Sequence, residues 1–66
     1  MEKYLLHWEF GLHHINVFVS KKDFFNVIDD LSNEFTIYKL HDVNRIIYQI
    51  ENYYGEMSII GEVLND

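Results

Sequence analysis

Residues 7–14 read His-Trp-Glu-Phe-Gly-Leu-His-His, placing three of the four histidines and a glutamate around one glycine. Imidazole and carboxylate together ligate zinc or iron, and they also move protons. A metal site in this stretch would use His7, Glu9 and His14. No evident second shell orients the two rings, and His-x-Glu and His-His pairs are common by chance. The simpler expectation is a Glu9–His14 hydrogen-bonded pair on a wet strand face, so no metal or other cofactor is assigned. His13 is expected at the end of the covered face, and His41 has no evident partner. Ser20, Ser32 and Ser58 lack a readable base and orienter, and the three glycines lie too far apart to cradle a phosphate. A domain of this size is also small for a pocket of about 300 Å³ or more. The chain is therefore read as non-enzymatic, with no catalytic residue.

The elements that position these residues follow from periodicity. Tyr4, Leu6, Trp8 and Phe10 alternate with Leu5, His7 and Glu9, and Ile15, Val17 and Val19 alternate with His14, Asn16 and Phe18. Each is the pattern of a half-buried strand. Gly11-Leu12 between them fits a type II′ hairpin turn, with glycine at the position that needs positive φ. That loop length sets Phe10 opposite His13, Trp8 opposite Ile15, Leu6 opposite Val17 and Tyr4 opposite Val19. The other face then pairs Glu9 with His14, His7 with Asn16 and Leu5 with Phe18. Next, Phe24, Val27, Ile28 and Leu31 recur at helical spacing, with Ser20 as N-cap and Asp23 three residues on. The spacing predicts a helix over 21–34, followed by a short strand at Phe35–Leu40.

Residues 43–54 fit two patterns. The β-branched content of Arg45–Glu51 suits a strand. However, Val43, Ile46, Ile47, Ile50, Tyr53 and Tyr54 fall on one helical arc, with only Tyr48 out of place, and Asp42 and Gly55 could cap the two ends. A shift of 22 residues also lays 24–38 over 46–60 with three identities, consistent with two helix-then-strand units, although any two amphipathic units look alike. The expectation is a helix at 43–54 and a last strand from Met57. The expected fold class is α+β: a two-layer sandwich, β-β-α-β-α-β, with a four-stranded mixed sheet and both helices on one face, all in a single domain over 1–66.

Composition bounds the function. The formal charge is −6, from eleven acids against five Lys and Arg. This opposes nucleic-acid binding and docking on anionic lipid, and it permits a basic partner. There is no cysteine, hence no disulfide. No apolar run approaches the roughly 20 residues a membrane helix needs, and the first ten residues do not resemble a signal peptide. A cytoplasmic protein is expected. Alanine and proline are absent while Ile, Asn, Lys, Tyr and Phe abound, a bias toward A+T-rich codons such as those of a low-GC bacterium or its phages.

A sheet covered on one face leaves the other bare. Its expected contents include Leu5, Phe18, Tyr38 and Ile60 among polar neighbours, with Met57, Ile59 and Val63 inward and Ser58 and Glu62 outward, an arrangement that resembles a protein interface. The leading expectation is a small acidic protein-binding module, of the kind that serves as a phage or mobile-element accessory or inhibitor. The alternatives are a homodimer using the same face, and a metal-binding or pH-responsive module built on His7, Glu9 and His14.

Overall fold

The computed structural model describes residues 2–10, 13–51 and 55–65, with side chains for all of these except 8–10 and 13. Five strands form one sheet: β1 (Glu2–Phe10), β2 (His13–Val19), β3 (Ile37–Asp42), β4 (Arg45–Glu51) and β5 (Met57–Asn65). One helix, α1 (Lys21–Ser32), joins β2 to β3. The strand order is β2-β1-β5-β4-β3, and every neighbouring pair is antiparallel. Because β2 and β3 are the two edges, α1 carries the chain from one side of the sheet to the other, across a single face.

The β1–β2 register is the one that alternation demands, with Tyr4 opposite Val19, Leu6 opposite Val17 and Glu9 opposite His14. A slip of one residue would turn Tyr4 and Leu6 outward, and both are buried. The expected Gly11-Leu12 turn lies outside the described residues. Helix α1 begins as expected: the Ser20 hydroxyl accepts the Asp23 N–H at 3.1 Å. It ends at Ser32, two residues short of expectation. Asp29, Asp30 and Glu34 cluster at this end with no basic residue in the last turn, which opposes the helix dipole.

The helix packs on the face that holds Tyr4, Leu6, Tyr48 and Val63. Phe24 is completely buried there, with ring centroids 5.5 Å from Tyr4, 5.2 Å from Phe25 and 5.5 Å from Tyr48. These tilted and edge-on contacts suit the ring quadrupoles. Gly61 makes the close approach possible. A Cβ at that position would stand 2.6 Å from Phe24 Cε2 and 2.9 Å from Cζ.

The expected fold is corrected in its second half. Four strands and two helices in a mixed sheet were expected, but the fold is β-β-α-β-β-β, with one helix and an all-antiparallel sheet. Residues 45–51 form β4 rather than a helix, and residues 52–54 lie outside the described residues. The decisive side chain is Tyr48, which breaks the helical arc but falls in register with Ile46 and Ile50 at a period of two. It is buried beneath Phe24 and Phe25. Asp42 caps a turn instead of a helix, its Oδ1 accepting the Val43 N–H at 2.8 Å. Gly55 has the expected positive φ of 81°, but it lies between two strands. The apparent repeat thus aligns a helix with a strand and is no duplication.

Candidate functional site: the helix-free face

The registers fix what the uncovered face presents. One row runs straight across all five strands as Phe18, Leu5, Glu62, Ile47 and Leu40. The next row on β5, β4 and β3 is Ile59, Gln49 and Tyr38, and beyond it Met57 faces Glu51. Tyr38, Leu40, Met57 and Ile59 are all exposed, Leu40 by 47%. Neighbouring strands lie about 4.8 Å apart, so Tyr38 and Leu40 on β3 stand roughly 10 Å from Met57 and Ile59 on β5, with Ile47 and Gln49 of β4 between them.

At the centre of this face sits a carboxylate. Glu62 is only 7% exposed, between Leu5 and Ile47. A buried charge requires a partner, and Arg45 supplies one, its Nη1 donating to Glu62 Oε1 at 3.0 Å. The same guanidinium donates through Nε to Asp42 Oδ2 at 3.3 Å. The Val43 N–H, and then Arg45, hold the Asp42 carboxyl below its usual range. On the other flank, His7 Nε2 lies 3.9 Å from Glu62 Oε2, too far for a hydrogen bond. That nitrogen is buried without a hydrogen-bond partner among the described residues. Asp42, Arg45, Glu62 and His7 therefore form a line of ionisable groups running from β3 to β1.

The structure treats the expected interface residues differently. Leu5 and Phe18 are cross-strand neighbours, and Phe18 is 63% exposed. Tyr38 lies on the same face but on the far edge strand, four strand spacings or roughly 19 Å from Phe18's strand. Ile60 does not belong to the site: it packs against the core on the helix side. The cause is a bulge in β5. Tyr48 pairs with Gly61 and the next residue, Gln49, pairs with Ile59, leaving Ile60 as the extra residue. A bulge inverts side-chain parity beyond it. Met57 and Ile59, expected inward, are thus outward, and Ser58, expected outward, is on the helix side. Leu40 and Ile47 were absent from the expected set. Reading Arg45–Glu51 as a strand would have placed Ile47 outward.

The expected metal trio falls partly outside the described residues, which include no side chain for Glu9. The His7 ring is directed at Glu62, and His14 lies on the exposed part of β2. Among the described residues, no group of three or more His, Asp or Glu is placed to hold a metal ion. A groove of about 440 Å³ opens beside the start of α1, lined by Glu2, Lys3, Phe18 and Lys21 among others. Among the described residues, no helix is long and apolar enough to cross a membrane. Comparison with protein-family models, curated proteins and solved structures finds no match to this chain.

Proposed function

We propose that this protein is a non-enzymatic binding module that captures a protein partner on the helix-free face, the partner presenting an apolar centre within a basic rim. The carrying observation is that exposed Tyr38 and Leu40 on β3 and exposed Met57 and Ile59 on β5 share one face of an otherwise acidic chain, flanking Ile47 of β4. A solvated antiparallel face is ordinarily polar. Here Asp42 and Glu51 lie on the same face as the apolar residues, which favours positive charge opposite them. Burying such a patch against a partner removes apolar surface from water, and the acidic border would speed encounter and set orientation.

The test uses the protein as bait, followed by measurement with the purified partner so identified. Leu40→Asp and Tyr38→Asp should each weaken binding at least tenfold without altering the circular dichroism spectrum, and added salt should weaken wild-type binding. A partner that binds both variants as tightly as wild type, or indifferently to salt, would refute this reading.

A further inference from the structure

The two edges of the sheet differ in a way that bears on self-association. Edge strands expose a row of amide and carbonyl groups, and natural proteins blunt them with charges, proline, bulges or short length. Edge β3 carries Lys39 and Asp42. Edge β2 has none of these devices. It runs seven residues, pairs in unbroken register with β1, and contains no Asp, Glu, Lys, Arg or Pro. Every other strand and the helix contain at least two charged residues, except β5, which has Glu62. Apolar side chains also stand exposed on both faces of β2: Ile15 and Val17 on the helix side, Phe18 on the other.

We propose that β2 is the pairing edge for a second copy of this chain, joined antiparallel about a two-fold axis at Asn16 to make one ten-stranded sheet. Charge favours this edge over the other surfaces for a second copy. Two copies of net charge −6 repel, and the surface where they can meet with least repulsion is the element that bears no acid. Geometry favours the register. Centring on Asn16 uses all seven residues and sets Ile15 opposite the partner's Val17, and Val17 opposite the partner's Ile15. Cross-strand pairs of β-branched residues stabilise a ladder. On the opposite face, Phe18 would cover the partner's His14. A two-fold contact is self-complementary and closes after two copies, so it does not propagate into a fibre. This surface is separate from the patch on β3, β4 and β5, and it stands or falls independently of the proposed partner.

Sedimentation equilibrium is the first test. Wild type should approach twice the 8.0 kDa chain mass as concentration rises. Val17→Lys, a charge on an exposed edge position, should stay at the chain mass with the denaturation midpoint of wild type diluted to monomer, while Leu40→Asp should still dimerise. Should Val17→Lys fail to fold, Asn16→Cys provides an independent readout. Opposed strand residues have Cα atoms about 4.5–5.5 Å apart, within disulfide reach. Because the chain has no other cysteine, Asn16→Cys should form a covalent dimer on mild oxidation, while Asn26→Cys on the exposed side of α1 should not. A monomer at all concentrations would overturn the proposal. So would a dimer abolished by Leu40→Asp but not by Val17→Lys, or equal cross-linking at residues 16 and 26.

Discussion

On the side of the sheet that carries α1, three aromatic rings close around Phe24, and Gly61 yields the space for it. On the other side, the same strands present an apolar surface with no cover and a carboxylate at its centre, held by Arg45. The first face is closed by shape and the second is braced by charge. Shape tolerates little change in volume, because a packed interior cannot refill a void or absorb an extra methyl group. A charge brace tolerates volume change but depends on pH. The stability of the domain should therefore lie mostly in the first face, leaving the second free for recognition.

The largest expected effect comes from emptying the covered face. Phe24→Ala removes the completely buried ring around which Tyr4, Phe25 and Tyr48 are arranged, and it should cost about 3–5 kcal/mol. A 66-residue domain has little reserve, so the variant should be largely unfolded at 25 °C, as read by urea titration. Leu40→Ala on the open face should change stability by no more than about 0.5 kcal/mol. Comparable losses from the two substitutions would mean that the faces do not differ in the way described.

A smaller effect tests how tightly the covered face is fitted. Gly61→Ala places a methyl group 2.6 Å from Phe24 Cε2, against a ring fixed by its neighbours, and should cost about 1–3 kcal/mol. If the clash is the cause, the cost should fall when Phe24 is first shortened, so that Gly61→Ala in a Phe24→Leu background destabilises less than in wild type. An equal cost in both backgrounds would place the requirement for glycine in the backbone of the bulge instead.

These same positions explain what could be read before the structure. The first hairpin was legible because both strands alternate strictly and the loop length fixes the pairing. The helix start was legible because Ser20 and Asp23 form a local signal. The strand at 45–51 was not, because Ile46, Ile47 and Ile50 satisfy a period of 3.6 nearly as well as a period of two. Tyr48 alone separates the alternatives, and the fate of one side chain depends on what packs over it. The content of the helix-free face was legible in part. Leu5, Phe18 and Tyr38 follow from simple alternation within their strands. Ile60 failed because the bulge that makes it the extra residue of β5 shows only in the pairing with β4, which was expected to be helical. Glu62 was expected outward, and it is, but its burial depends on Arg45 in the neighbouring strand, which was expected to be helical.

The charge brace of the open face makes the smallest prediction, and pH is its probe. The Val43 N–H and Arg45 stabilise the Asp42 carboxylate in the folded chain, so its folded pKa lies below the ordinary value of 3.8. A depressed carboxylate pKa contributes stability that is fully present above the unfolded value and is lost as pH falls through the folded one. Asp42→Ala should therefore melt slightly below wild type at pH 6, and the gap should narrow below pH 3.8 as wild type loses the same interaction. The acid-induced fall in wild-type melting temperature contains every carboxylate, but the difference between the two proteins isolates this one. A gap that stays constant from pH 6 to pH 2 would show that Asp42 acts through the shape of the β3–β4 turn rather than through its charge. The brace would then reduce to the contact between Arg45 and Glu62.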